Sequence, residues 1–447
     1  MALTGLQIYK LLPRTNCGDC NFPTCMAFAM QVATKKVAMD KCPHISEEAI
    51  SELAGASAPP MKLVTIGVGS AQVQVGQETV LFRHKEKFHH GTAIGIRVRD
   101  DLSADEFTGR MEKISKLIFT RVGEEIGVDL VALEYKSGNE AHFADLAQQL
   151  VNKTGFALVL MADDCVALEA ALAKIGTTKP LIYAATKDNW TDMTSLAKKY
   201  KCPLAVQSPT LEGLASLTQG LANAGVEELV LDPAQRETVA CLEQLTRLRR
   251  LAVEKVFRPL GYPTIAFTDA DTVFHETLQA ATYVCKYANI LITKLVESWQ
   301  LLPLLTVRQN IFTDPQVPNA IEPKLYEVGS PNADSPVIVT TNFSLTYFTV
   351  QSEVENSKVP AYISVVETEG MGVLNAYAGD KWSAEKIAKT LEAQGVREKV
   401  NHDTVIIPGL VAVFRAELID EHNWKVIVGP EEAARIPSCL KGTWKAQ

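Results

Sequence analysis

The chain has 447 residues, of which 47% are hydrophobic and 21% charged, with a formal net charge of -8. Such a length holds about two to four domains with a core each, and such a composition is that of a soluble globular protein, neither disordered nor embedded in a membrane. The acidic balance argues against nucleic acid as a partner, because a nucleic-acid surface needs clustered Lys and Arg to displace counterions from phosphates.

The first residues, MALTGLQIYKLLPRTN, lack the apolar core and the small-residue cleavage site of a secretory signal. No run approaches the roughly 20 apolar residues of a membrane helix. The expected location is therefore the reducing cytoplasm, where disulfides are rare and metal-binding cysteines common.

Four of the nine cysteines, Cys17, Cys20, Cys25 and Cys42, follow the spacing C-x2-C-x4-C-x16-C, with Pro43 after the last. Four thiolates on a short segment suit a tetrahedral zinc ion or the corners of a 4Fe-4S cubane. Two features favour the cubane over zinc and over thiols without metal. Zinc modules usually pair their ligands as two C-x2-C knuckles, or one knuckle with H-x3-H, whereas here a single knuckle has unevenly spaced partners. LTGLQIYKLL reads as an amphipathic helix stopped by Pro13, and FPTCMAFAMQVATKKVAM as a helix with Pro23 in its first turn. Apolar Phe22, Met26, Phe28 and Met30 would then shield a cluster from water. The later cysteines, Cys165, Cys202, Cys241, Cys285 and Cys439, sit singly in apolar strands or helices and read as small hydrophobes.

SELAGASAPPMK, residues 51–62, is small and proline-bearing and reads as a linker. AQVQVGQETVLFRH then predicts a hairpin around a Gly-Gln turn, and His84, His89 and His90 read as polar residues on it and its exit rather than as a metal site. Eight short apolar runs follow: TAIGIRV, LVALEY, ALVLMAD, PLIYAA, PLAVQS, ELVLD, PTIAFT and NILITK. They alternate with amphipathic segments such as FTGRMEKISKLI, HFADLAQQLVNK and MTSLAKKY. Eight such alternations in about 200 residues predict a (β/α)8 TIM barrel, with an open doubly wound sheet as the alternative. Its strand-following loops carry Glu134, Asp163, Asp164, Asp232, Asp269 and Asp271. They form an acidic rim that would hydrogen-bond a pterin-like ligand, although Asp164 and the TDADT stretch read equally as helix caps.

Six prolines between Leu302 and Pro336, with little periodicity, mark a second boundary. Beyond it VIVTT, AYISVVET, TVIIPG and WKVIVG alternate with helical segments, which predicts four β/α units in a small parallel, Rossmann-like sheet. Ligands of such sheets bind beyond the carboxyl ends of the strands, where Thr340 to Thr346, Glu369 to Val373, Pro408 to Leu410 and Gly429 to Glu431 meet. EGMGV lacks the G-x-G-x-x-G pattern and a following acidic residue, so a dinucleotide is poorly supported. Its glycines either let backbone approach a flat macrocycle, with the threonines bonding its peripheral amides, or serve only tight turns.

Taken together these parts, and most specifically NCGDCNFPTC with Cys42 and the segment VETEGMGVLNAYAGDKWSAEKIA, give the chain a resemblance over essentially its whole length to a known family. It resembles the large (gamma) subunits of corrinoid iron-sulfur proteins, which serve the acetyl-CoA (Wood-Ljungdahl) pathway of carbon fixation in anaerobes. The resemblance implies a cobalamin-type corrinoid and a 4Fe-4S cluster in a methyltransferase component that acts as a carrier subunit rather than as a stand-alone catalyst. In that family Co(I) accepts a methyl group from methyltetrahydrofolate through a separate methyltransferase, and methyl-Co(III) donates it to the nickel centre of acetyl-CoA synthase/CO dehydrogenase. The cluster reductively reactivates Co(II), and a small corrinoid iron-sulfur protein subunit completes a heterodimer.

The implied organisation is a cluster domain over 1–57, a TIM barrel with its N-terminal hairpin over 58–310, and a corrinoid-binding α/β domain over 325–447. The family's cluster ligands fall on Cys17, Cys20, Cys25 and Cys42, and its corrinoid contacts on Thr340, Thr346, Gly370, Met371, Gly372, Val373 and Ala433. The D-x-H-x-x-G loop that supplies a lower axial histidine in the wider group of cobalamin-binding domains is missing, His402 and His422 being the only histidines of the last domain. Without a nitrogen donor below it, cobalt should be easier to reduce to Co(I), much as axial ligands tune haem iron. An electron-transfer iron-sulfur protein without corrinoid and a folate-dependent methyltransferase are the alternative readings.

Overall fold

The computed structural model describes residues 5–34, 36–38, 41–46 and 59–444. The chain divides into two compact units, one of residues 1–81, 89–103 and 129–294, the other of 82–88, 104–128 and 295–447.

The first unit begins with two short helices, Gly5–Leu11 and Cys25–Ala33. The second starts at Thr24, whose hydroxyl accepts from Ala27 N and satisfies one of the first-turn amides that a helix leaves without a partner. Pro23 therefore precedes the helix instead of entering its first turn. The helix also stops short of the predicted Met39, because the Thr34 hydroxyl bonds to the carbonyls of Met30 and Gln31 and closes its end.

Of the predicted linker, residues 51–58 lie outside the described residues. Residues 59–62 are not a free linker: Lys62 N donates to Gly261 O at 2.9 Å, Arg258 Nη1 donates to Pro59 O at 2.6 Å, and Met61 is buried. A hairpin does follow, but it pairs β1 (Leu63–Ile66) with β2 (Val73–Gly76) and turns within residues 67–72. The Gly-Gln pair sits at the other end of the ladder, where Gln77 N donates to Lys62 O at 3.2 Å, and residues 77–92 run on without forming a strand.

All eight predicted runs are strands. They are β3 (Ala93–Arg99) and, after a second-unit hairpin of β4 (Ile118–Arg121) and β5 (Glu124–Gly127), β6 (Leu130–Glu134), β7 (Ala157–Met161), β8 (Leu181–Ala185), β9 (Leu204–Gln207), β10 (Leu229–Asp232), β11 (Ile265–Phe267) and β12 (Ile290–Thr293). The parallel order runs β10-β9-β8-β7-β6-β3-β12-β11, and a bridge from Leu231 to Thr264, with Leu231 N donating to Pro263 O at 2.8 Å, joins β10 back to β11. This is the TIM barrel. Inward residues such as Leu130, Val159, Leu181, Val230 and Ile290 fill it, and Val64, Ile66 and Val75 of the β1–β2 hairpin join the same cluster. The hairpin lies at the amino ends of the strands, where Gly67 N reaches Lys179 O and Thr65 N reaches Glu228. Each fully buried aliphatic side chain of this kind contributes about 1.5–3 kcal/mol.

The second unit holds the helix Ala104–Ser115, the β4–β5 hairpin and everything beyond Lys294. The predicted helix FTGRMEKISKLI thus ends at Ser115, and Ile118 already starts β4. The proline-rich stretch opens inside a regular helix, Ser298–Phe312, which carries Pro303. A capping box between Glu297 and Gln300 starts that helix, and Leu301, Leu304 and Leu305 bury its apolar side, which together outweigh the proline.

A five-stranded sheet follows: β13 (Leu325–Val328), β14 (Val337–Thr341), β15 (Ala361–Val366), β16 (Thr404–Ile407) and β17 (Lys425–Val428), in the order β13-β15-β14-β16-β17. The last four are parallel as predicted. The sequence reading missed β13, an antiparallel edge strand against β15. Helices Ser344–Ser357 and Ile436–Thr443 contribute Tyr347, Val354 and Leu440 to one face, while Ala376, Leu391 and Leu418 from three other helices cover the opposite face. The sheet is therefore doubly wound. Its connections run to one side from β14 to β15 and to the other side at β16, so a switch point opens between β14 and β16.

Candidate functional site

At that switch point the carboxyl ends of the strands surround a cleft of about 100 Å³. Thr340, Thr346, Val373, Leu410, Glu431 and Ala433 line it, and Ile338, Ile406, Ile436 and Leu440 back it. The wall is almost wholly apolar. The side chain of Thr340 is an exception, because it is only 1% exposed and its hydroxyl has no hydrogen-bond partner. A buried hydroxyl without a partner costs about 1–3 kcal/mol, so the cleft fits a ligand that brings an amide or other polar edge to this point and apolar surface elsewhere.

Two loops of the cleft meet backbone to backbone. A side chain at Gly409 would strike Gly429 O at 2.7 Å and Glu431 N at 2.9 Å, so only glycine permits the approach. Of the residues singled out from sequence, Thr340, Thr346, Val373 and Ala433 line the cleft together. Gly372 stands beside Phe343 and Thr346. Gly370 is buried behind the loop, close to Pro318 and Ala320, and Met371 packs against the core that holds Trp382. Val350, Cys439 and Leu440 also line the cleft and were not foreseen. Their helical periodicity was visible in the sequence, but periodicity cannot separate a cleft wall from a packed core. Neither histidine of this domain is among the lining residues: His402 bonds Ser335 O at 3.0 Å, and His422 follows the helix Arg415–Asp420.

In the N-terminal module Cys20, Cys25 and Cys42 are buried in one cluster with Ile8, Leu12 and Phe28, while Cys17 is exposed. Asn16 braces the group, since its side-chain oxygen accepts from Cys25 N at 2.8 Å and its own N–H points to Cys25 Sγ at 3.4 Å. Phe22 stacks obliquely on Phe28, with centroids 5.7 Å apart, as a shield would. Met30 does not shield; it is 56% exposed, and Ile8 and Leu12 of the first helix take its place. At the open edge Asp19 pairs with His44 at 2.6 Å, and one donor atom each from Cys17, Asp19 and His44 lie within 4.8 Å of one another. The His44 hydrogen bond, then that of Cys17, holds the Asp19 carboxyl below its ordinary value. Three thiols in an apolar shell with a fourth at its edge fit the donor set of a cubane cluster.

The barrel rim is engaged by the protein itself. Asp232 is fully buried and accepts from Tyr183, from Gln207 at 2.9 Å and from Arg236 at 2.8 Å. Burial, reinforced by Asp232, pushes the Tyr183 phenol well above its ordinary value. Glu134 faces Arg97 at 3.7 Å, and Asp269 faces Lys294 at 2.7 Å. Asp164 caps its helix at Val166 N, and Thr272 of TDADT caps the next at His275 N; Asp163 and Asp271 are exposed. Below, the amides of His89 and His90 donate to Glu78 and the His90 ring bonds Gly76 O, which are structural roles. Among the described residues no helix is long and apolar enough to cross a membrane.

A family model described as the CO dehydrogenase/acetyl-CoA synthase delta subunit matches residues 63–440, and a separate iron-sulfur cluster model matches residues 12–44. The corrinoid/iron-sulfur protein large subunit of Moorella thermoacetica is 47% identical over 436 residues, covering 98% of each chain. The acetyl-CoA decarbonylase/synthase complex subunit gamma of Methanothermobacter thermautotrophicus is 39% identical, covering 98% of this chain and 99% of its own. The corresponding subunit of Methanopyrus kandleri is 34% identical over 98% of this chain and 97% of its own.

Proposed function

The chain belongs to the family of corrinoid/iron-sulfur protein large subunits and acetyl-CoA decarbonylase/synthase gamma subunits, and from that premise we propose that it is a methyl-carrying component of the acetyl-CoA pathway. The delta-subunit model spans the barrel and the last domain alone, and the cysteine module ahead of it is matched by the cluster model. The division of labour follows. Residues 1–57 carry a 4Fe-4S cluster on Cys17, Cys20, Cys25 and Cys42, the barrel is a scaffold, and residues 325–447 hold a corrinoid.

When bound, the corrinoid supplies a cobalt that exchanges a methyl cation equivalent, and the cluster supplies single electrons at low potential. The residues of the cleft do the rest. Thr340 and Thr346 would offer hydroxyls to the ligand's polar edge, Val373 presents apolar surface with Gly372 beside Thr346, Gly370 and Met371 hold that loop from behind, and Ala433 lines the cleft as well. Among the described residues no histidine lines the cleft, so its wall would offer cobalt no imidazole ligand, and its apolar surface would keep water away. The partners that suit such a carrier are a small subunit forming a heterodimer with it, a methyltetrahydrofolate methyltransferase, and acetyl-CoA synthase/CO dehydrogenase.

The observation that carries this reading is the buried Thr340 hydroxyl, without a protein partner, in an apolar cleft at the switch point of an open parallel sheet. Anaerobic purification of the complex tests it. Cobalt and iron should copurify at about one to four, as one corrinoid and one cubane cluster require, with a corrin band in the visible spectrum. Iron without cobalt would instead identify an electron-transfer protein.

A further inference from the structure

The loop that leaves β15 and delivers Val373 to the cleft is tied to β14 by the Asn342 side chain, while Lys381 holds Glu369 at 2.7 Å and Met371 N bonds Thr368 O at 3.1 Å. The Asn342 side-chain oxygen accepts from Thr368 N and Gly370 N, each at 3.0 Å, and it lies 2.9 Å from the Thr368 hydroxyl, whose single proton is shared with Met371 O, also at 2.9 Å. Its amide nitrogen donates to Glu367 Oε2 at 3.0 Å, and the other carboxylate oxygen of Glu367 accepts from Glu369 N. Asn342 is 2% exposed and follows β14 directly, two residues after Thr340. Its main chain is fixed as well, with its N–H on Val366 O at 3.0 Å and its carbonyl accepting from Ile321 N at 2.9 Å.

The loop needs such a tie. Glu369 and Gly370 both adopt left-handed backbone, with φ of +56° and +69°. For glutamate that conformation is costly, and it persists only where surrounding bonds determine it. The convergence of donors from residues 368 and 370 on one oxygen supplies that determination. A neutral amide is also the side chain that suits the spot: its oxygen serves the two backbone donors while its nitrogen meets the Glu367 carboxylate. An aspartate would serve the donors but would set one carboxylate against another.

We propose that Asn342 is the positioning residue for the corrinoid-facing loop, fixing where Gly372 and Val373 stand relative to Thr340. This deepens the proposed function and rests on the corrinoid reading of the cleft. The full-length protein tests it in two steps. In the ligand-free chain, Asn342→Asp replaces the Asn342–Glu367 hydrogen bond by repulsion between two carboxylates, so the loop should open more often and amide exchange at residues 368 and 370 quicken about tenfold, which corresponds to one lost hydrogen bond of ordinary strength. The double variant Asn342→Asp, Glu367→Gln restores a donor opposite the acceptor, so exchange should return to near the wild-type rate. In protein loaded with hydroxocobalamin, the dissociation rate should follow the same order: fast in the single variant, near wild type in the double one.

Exchange unchanged in Asn342→Asp would overturn the tie. Faster exchange with an unaltered dissociation rate would show that loop position does not govern the ligand, and would overturn the positioning role. Wild-type protein that takes up no corrinoid would overturn the functional reading itself, a result the exchange data on ligand-free protein cannot mimic.

Discussion

Glu78 and Arg249 form an ion pair 3.0 Å apart, with side chains only 1% and 3% exposed. Glu78 also accepts from the amides of His89 and His90, and Arg249 donates to Val80 O at 3.3 Å, so the pair fastens the strandless segment after β2 to the barrel. Burial pushes the Arg249 guanidinium below its ordinary value, and the Glu78 carboxylate opposes that shift. Glu78→Gln should therefore destabilise the fold by about 3–5 kcal/mol, since it leaves a buried charge without its counter-ion. Replacing both residues by leucine and methionine should recover much of the loss. Urea unfolding midpoints of the wild type and the two variants check the order, and an undisturbed Glu78→Gln would show that the charge reaches water.

Thr340→Val should act in opposite directions on the two states of the protein. Without ligand, the Thr340 hydroxyl is buried and has no partner, so the isosteric valine should raise stability by about 1 kcal/mol. With corrinoid bound, the same change removes a hydrogen bond and should weaken retention by about tenfold. Denaturation of the ligand-free protein and dissociation of bound cobalamin measure the two effects separately. A loss of stability without ligand would place a hidden partner on the hydroxyl.

The barrel was legible because most of its strand residues are buried on both faces, so the strands appear as largely apolar runs: all five residues of β7, ALVLM, are buried. The edges of elements were not. Pro303 signalled a break that the capping box at Glu297 and the burial of Leu301 override, and β13 escaped notice because a four-residue edge strand buries only Val328. Cysteine spacing singled out the four thiols proposed as cluster ligands, yet the apolar residues packed around them, Ile8 and Leu12 rather than Met30, depend on how two helices pack. The Asn342 tie was invisible for a similar reason, since it joins residues 26 and 28 positions apart.

The reactivity of the later cysteines can be ordered. Burial pushes the Cys202 thiol up to about 12 and the Cys241 thiol up to about 11. At pH 8 almost none of either is thiolate, and neither is accessible. Iodoacetamide should modify both at least about a hundredfold more slowly than a free cysteine in the native protein, and at the ordinary rate after denaturation. Peptide mass spectrometry at timed intervals reads this out, and rapid native labelling of Cys202 would reveal opening of the barrel near Gly176, whose carbonyl its sulfur faces at 3.6 Å.

Cys20 separates the two proposed cofactors. It is buried among the apolar residues of the N-terminal module, whereas the cleft at Thr340 is built entirely from residues of the last domain. Cys20→Ala should therefore abolish or degrade the cluster, lowering iron content and the cluster's paramagnetic signal, while cobalt content and the corrin spectrum stay as in the wild type. Methyl transfer started from freshly reduced protein should proceed at the wild-type rate, because none of the module's described residues lines the cleft. Recovery of oxidised protein with a low-potential electron donor should slow severely, since the electron's route has lost its relay. Loss of direct methyl transfer in folded, cobalt-replete Cys20→Ala would overturn the division of labour and give the cluster a part in the transfer itself.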